Sequence, residues 1–189
     1  KTEEFFAKKG IENPRGDARR LMAKGLGITP MQVMLQFDRP LTDPEVAALR
    51  DLVARRGRGE PLQHLLGVVG FRHLQIACDA RALVPRSETE TLVDLALDRL
   101  RGVPGARVHE VGVGTGCVAL SLRHEMASLR ATGSDVSGNA LALARHNAQV
   151  LGIWLPLWQA HLLDGIRPAS LDAVVSNPPY IASGEIASL

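Results

Sequence analysis

From Ala106 to Ser176 the sequence alternates between short β-type runs and helical stretches, and that alternation restricts the fold more than any other feature. R-V-H-E-V, L-R-A-T-G-S-D, W-L-P-L-W-Q-A and L-D-A-V-V-S read as strands. G-C-V-A-L-S-L-R-H-E-M and G-N-A-L-A-L-A-R-H-N-A-Q-V-L-G read as helices, the second ended by Gly152. Strands alternating with helices of this length predict an α/β architecture. Its parallel sheet is covered on both faces, with ligands at the carboxyl ends of the strands.

The front of the chain is different. Asn13-Pro14, Thr29-Pro30 and Asp43-Pro44 each place a capping side chain before a proline at the first helical position, so three helices are expected to start there. Leu21, Met22, Leu26 and Val46, Leu49, Leu52, Val53 recur at helical spacing, and Met22, Met31 and Met34 are expected to fill the core. Arg55, Arg56 and Arg58 suggest a basic helix tip on a solvated face. The run V-V-G-F-R-H-L-Q-I-A reads as a hairpin, and Ser87 and Glu90 have the spacing of a capping box opening a further helix. The expected organisation is a helical domain over residues 1–66, a β-hairpin linker over 67–84 and an α/β domain over 85–189.

Composition narrows the function classes. A formal charge of +2 and an aromatic content of 4% give no support for an extended nucleic-acid surface. No apolar run approaches the roughly 20 residues of a membrane span, and the first ten residues lack a signal-peptide core. Cys78 and Cys117 stand apart from any metal-ligand pattern and read as reduced core thiols of a cytoplasmic protein. The six histidines are scattered without metal spacing, so no metal site is expected. The chain begins without Met, which suggests a fragment at its front end.

Three motifs carry chemistry. Glu110-Val-Gly-Val-Gly-Thr-Gly116 links the first strand to its helix, where glycines 112, 114 and 116 allow a tight turn and let a ligand approach bare N–H groups. Asp135 ends the next strand, where a carboxylate can accept both hydroxyls of a ribose. The spacing is G-x-G-x-G, not the G-x-G-x-x-G of dinucleotide sites, so S-adenosylmethionine is favoured over a nicotinamide. Glu110 then lies near the amino-acid moiety, or else caps backbone N–H groups as a buried acid. The third motif, Ser176-Asn-Pro-Pro-Tyr180, ends a strand in a stiff turn, because proline offers no N–H to a ladder. The Asn177 side-chain oxygen and the Pro178 carbonyl could accept both hydrogens of a planar NH₂ group. They would thereby stabilise the positive charge that grows as its nitrogen attacks a methyl. Pro179 stiffens the turn, and Tyr180 could pack its ring over the amide plane. The same turn suits adenine N6 or cytosine N4, which keeps a nucleic-acid amino methyltransferase as the alternative.

With these residues in view the chain resembles the glutamine N5-methyltransferases that modify peptide chain release factors. The likeness runs through G-I-E-N-P-R-G-D-A-R-R-L, R-G-R-G-E-P-L-Q-H-L-L-G, L-V-P-R-S-E-T-E, E-V-G-V-G-T-G, S-D-V-S-G-N-A-L and S-N-P-P-Y-I. It implies a helical substrate-recognition domain, a hairpin linker and a Rossmann-like methyltransferase domain. It implies further that Glu110, Gly112, Val113, Gly114, Thr115, Gly116, Asp135, Leu162 and Asn177 hold S-adenosylmethionine, and that Asn177, Pro178, Pro179 and Tyr180 hold the glutamine of a Gly-Gly-Gln loop. Asn177, Pro178 and Tyr180 are the expected catalytic residues. The products would be N5-methylglutamine and S-adenosylhomocysteine. The implied partner is a release factor, with the enzyme a monomer that binds neither membrane nor, stably, nucleic acid. The chain departs from the family pattern at Ser87, Glu110, Val113 and His161, the last standing where an aspartate near the adenine is usual. Only nine residues follow Tyr180, so the methyltransferase domain is expected to lack its C-terminal part. If so, a non-catalytic translation-factor-binding module is the remaining alternative.

Overall fold

The computed structural model describes residues 1–178; Pro179 and Tyr180 lie outside the described residues. Two compact units are present, the first Lys1–Val69 and the second beginning at Gly70.

The first unit contains helices α1 (Thr2–Lys8), α2 (Pro14–Leu26), α3 (Pro30–Leu35), α4 (Asp43–Gly57) and α5 (Leu62–Leu66). Asn13 caps α2 by accepting from the Gly16 N–H, and Thr29 and Gln32 close a reciprocal box at α3. At α4 the cap is Thr42, one residue before the expected Asp43. The reason is Glu45, whose Oε2 accepts from both the Thr42 N–H (2.8 Å) and its hydroxyl (3.0 Å). Phe6, Ala18, Leu21, Leu62 and Leu65 form the core. Met31 and Met34 do not join it. Helix α3 has only six residues, too short to turn more than a narrow face inward, and Met31, Met34, Leu35 and nearby Phe37 all remain exposed.

The expected basic tip is largely neutralised. Arg55 forks onto Glu60 (2.8 and 2.6 Å), and Arg56 Nε reaches the buried Asp17 Oδ2 at 2.9 Å. Arg56→Ala would leave that carboxylate buried and unpaired, so the full-length variant should lose about 2–3 kcal/mol in urea unfolding. Adding Asp17→Ala should restore part of the loss, and a surface-like change under 0.5 kcal/mol would refute the pairing role.

The hairpin of β1 (Val68–Phe71) and β2 (Leu74–Ala77) straddles the unit boundary. The second unit continues with α6 (Glu90–Leu100), β3 (Arg107–Val111), α7 (Cys117–Glu125), β4 (Arg130–Asp135), α8 (Gly138–Leu151), β5 (Leu157–Gln159) and β6 (Ala173–Ser176). Ser87 and Glu90 do not form the expected capping box. Ser87–Thr89 is a 3₁₀ turn, and Glu90 Oε1 instead accepts from the Arg72 N–H at the hairpin tip (3.0 Å).

The four strands are parallel in the order β5-β4-β3-β6. β4 and β6 therefore lie on opposite sides of β3, and the strand order reverses between them. A crevice opens at such a switch point because the connections leaving the two strands diverge. Val108, Glu110, Ala131, Gly133 and Val175 share one face of the sheet, against which α6, α7 and α8 pack. The opposite face carries His109, Thr132, Ser134, Trp158 and the half-exposed Val174. His109 is fully buried there, its ring nitrogens 2.9 Å from the Thr132 and Ser134 hydroxyls and its ring stacked on Trp158. Cys78 and Cys117 are free and buried.

Candidate functional site

The glycine turn follows β3 at the reversal of strand order. Gly116 has φ +83, which calls for glycine, and a Cβ there would stand tightly at 3.1 Å from Leu120 Cδ1 and 3.3 Å from the Ala144 Cβ. Gly112, at φ +71, faces open space that a ligand can enter. The expected bare N–H groups are mostly engaged within the turn. Those of Gly112 and Val113 donate to Ser134 O, that of Gly114 to Asp135 Oδ2 and that of Gly116 to Val113 O. The turn thus admits a ligand by lacking side chains more than by offering donors. Val113 points its side chain into the core with Leu141 and Ala144, leaving only its backbone for a ligand.

Asp135 ends β4 with its carboxylate oriented at both oxygens. Oδ2 accepts from Gly114 (3.0 Å) and Oδ1 from the Ser137 N–H (2.9 Å), which leaves lone pairs toward the crevice. Ser137 in turn caps α8. Asn147 ties the turn to the hairpin: its amide donates to Thr115 O and Ala77 O and accepts from the Ala77 N–H at 2.8 Å.

Glu110 is buried beneath the turn, where its Oε2 accepts from the Ala119 N–H in α7 at 2.8 Å. Of the two readings of this residue, that bond realises the backbone cap. Burial pushes its carboxyl up to about 8, a shift opposed by the Ala119 bond and reinforced by the charge on Asp135. At neutral pH it is largely a protonated acid. Burial likewise raises the adjacent Cys117 thiol to about 12, so Cys117 is an inert core group.

Three openings meet at the carboxyl end of β6. A crevice of about 760 Å³ is bordered by Gly112, Gly114, Asp135, Leu162, Asn177 and Pro178. A cavity of about 60 Å³ runs beneath the turn past Glu110 and Thr115. A third, of about 420 Å³, is bordered by Arg86, Glu88, Thr89, Leu92, Ser176 and Asn177. Asn177 borders all three. Leu162 reaches the crevice from a left-handed backbone conformation, φ +48, and His161 borders it as well.

Most of the residues singled out in the sequence are thus gathered at one place in the second unit. Residues 81–89 were missed: they run along all three openings, and Thr89 receives a hydrogen bond from Asn177 Nδ2 at 2.9 Å. The density of turn and capping residues in P-R-S-E-T-E was the only available signal, and it pointed to a helix start. Among the described residues no cluster of His, Cys, Asp or Glu is placed to hold a metal, and no helix is long and apolar enough to cross a membrane.

Residues 1–67 match the family model described as the PrmC N-terminal domain, and residues 89–188 match the one described as the methyltransferase small domain. The release factor glutamine methyltransferase of Geobacter sulfurreducens is 37% identical over 188 residues, an alignment covering 100% of this chain and 66% of that protein. Those of Rhodospirillum rubrum and Chlorobaculum tepidum are 39% and 36% identical, with 55% and 67% of their lengths matched. The chain therefore spans about two thirds or less of each of these relatives. With both halves of the sequence matched in order, the chain belongs to the release factor glutamine methyltransferase family.

Proposed function

We propose that the full-length protein methylates the side-chain amide of the glutamine in the Gly-Gly-Gln loop of peptide chain release factors, in the cytoplasm, with S-adenosylmethionine as methyl donor. The observation that carries this reading is the position of Asn177, where a large crevice and a separate opening meet at the reversal of strand order. A methyltransferase needs two sites that share one wall, and that wall must favour charge appearing on the attacking nitrogen.

The residues present suit such a cofactor. The crevice lies within the range of about 300–1,000 Å³ usual for small-molecule sites. In our reading Asp135 accepts the ribose hydroxyls, Leu162 lines the adenine and the glycine turn admits the chain that joins them. Glu110 acts from beneath the turn. When bound, S-adenosylmethionine supplies an electrophilic methyl on a sulfonium. Asn177 Oδ1 and the Pro178 carbonyl hold the two amide hydrogens and stabilise the nitrogen as it takes up positive charge. The nitrogen then gives up one proton. Pro179 and Tyr180 are assigned to the substrate, and the helical unit to recognition of the release factor.

The test is transfer of labelled methyl by the full-length protein to a release factor and to its loop Gln→Ala variant. Label is expected on the first alone. Equal label on both, or greater label on nucleic acid, would refute the assignment.

A further inference from the structure

A carboxamide is useful as an acceptor only if its oxygen faces the substrate. Its two ends have nearly the same size, and a half-turn about the last side-chain bond would set the Asn177 NH₂ against the NH₂ it must bind. Two donors would then face each other. Packing alone discriminates weakly between these orientations, so a hydrogen-bonding group must hold one end of the amide still while the substrate NH₂ selects the orientation that presents Oδ1.

Thr89 occupies the position to do so. Asn177 Nδ2 donates to Thr89 Oγ1 at 2.9 Å across 88 residues of sequence, and both side chains border the small cavity and the third opening. Thr89 stands at the N-cap of α6, where a threonine hydroxyl ordinarily accepts from the first free N–H groups of its helix. Here it makes no such bond. The preceding 3₁₀ turn gives Thr89 a helical backbone, φ −70 and ψ −19, which directs its side chain away from the helix end. The residue is only 8% exposed, its N–H is held by Arg86 O at 3.1 Å, and its branched side chain has few rotamers. The hydroxyl has been diverted from a local structural task to the Asn177 amide.

We propose that Thr89 is a positioning residue for amide methylation: by bonding one end of the Asn177 amide, Nδ2 in this structure, it holds the other end toward the substrate nitrogen. This inference rests on the function proposed above. Thr89→Val keeps the shape and removes the hydroxyl, while Thr89→Ser keeps the hydroxyl.

The experiment uses the full-length protein. In Thr89→Val, kcat for release-factor methylation should fall about tenfold, with the KM values for both substrates within twofold of wild type. Thr89→Ser should recover most of the rate. In an Asn177→Ala background the valine substitution should cost nothing further, since no amide remains to be oriented. A collapsed helix start would instead raise KM or lower the melting temperature, and serine would not rescue it selectively. Thr89→Ala serves as a second hydroxyl-free variant if valine fails to fold. The side-chain amide resonances of Asn177 read the contact independently of turnover. One slowly exchanging proton is expected in wild type and Thr89→Ser, and fast exchange in Thr89→Val. Unchanged exchange in the valine variant overturns the inference. Absence of methyl transfer by wild type, with the exchange difference present, overturns the release-factor reading and leaves the contact established.

Discussion

Asn177→Ala in the full-length protein is expected to lower kcat for release-factor methylation about 10²–10³-fold, the usual loss when one preorganised group facing developing charge is removed. In the proposed function the side chain supplies one of two acceptors for a planar NH₂, and the Pro178 carbonyl, being backbone, survives the substitution. Residual activity should therefore remain above background. Binding of S-adenosylmethionine should weaken much less, because the crevice keeps Gly112, Gly114 and Asp135. Single-turnover rates alongside calorimetric cofactor affinity separate the two effects. A large loss of affinity with an unchanged chemical step would show that Asn177 serves the cofactor and not the amide.

The second large effect is on stability. The Glu110 carboxyl is pushed up to about 8 in the folded chain because burial disfavours its charged form, while in the unfolded chain it returns to the ordinary value of 4.5. Between these values the folded state holds a proton that the unfolded state has released. The contribution is complete below about 4.5 and is lost as pH rises toward 8, at up to about 1.4 kcal/mol per pH unit for one proton. Glu110→Gln keeps an acceptor for the Ala119 N–H and has nothing to titrate. Urea unfolding between pH 5 and 8.5 should show the wild type weakening with pH and the glutamine variant weakening less. Parallel profiles would mean that Glu110 ionises normally, with water reaching it through the small cavity.

The alternation of strands with helices and the glycine turn were legible because they depend on local pattern. Alternating runs fix which residues form strands, and the run of glycines marks a turn in which Gly116 takes φ +83. The place of Asp135 beside the crevice was legible because it follows from lying at the end of the next strand. What escaped were choices between near neighbours that only tertiary contacts decide. Thr42 was preferred to Asp43 because Glu45 reaches it, and Glu90 was drawn from Ser87 to Arg72 by the hairpin tip. Thr89 escaped for the same reason, since its partner lies 88 residues away. Met31 and Met34 misled because helical spacing locates a face without saying whether a short helix buries it. Arg56 read as a solvated charge because nothing local foretells its pairing with Asp17.

The Asn147 side chain bonds to both the N–H and the carbonyl of Ala77, as a neighbouring strand would, and holds Thr115 O as well. This sets a rule for building chimaeras. A helical unit swapped between relatives must be spliced before Leu74, for a junction beyond that point would bring in a foreign β2 and misfit the glycine turn that Asn147 holds. The second unit thus begins inside the hairpin, ahead of the first strand of its four-stranded sheet.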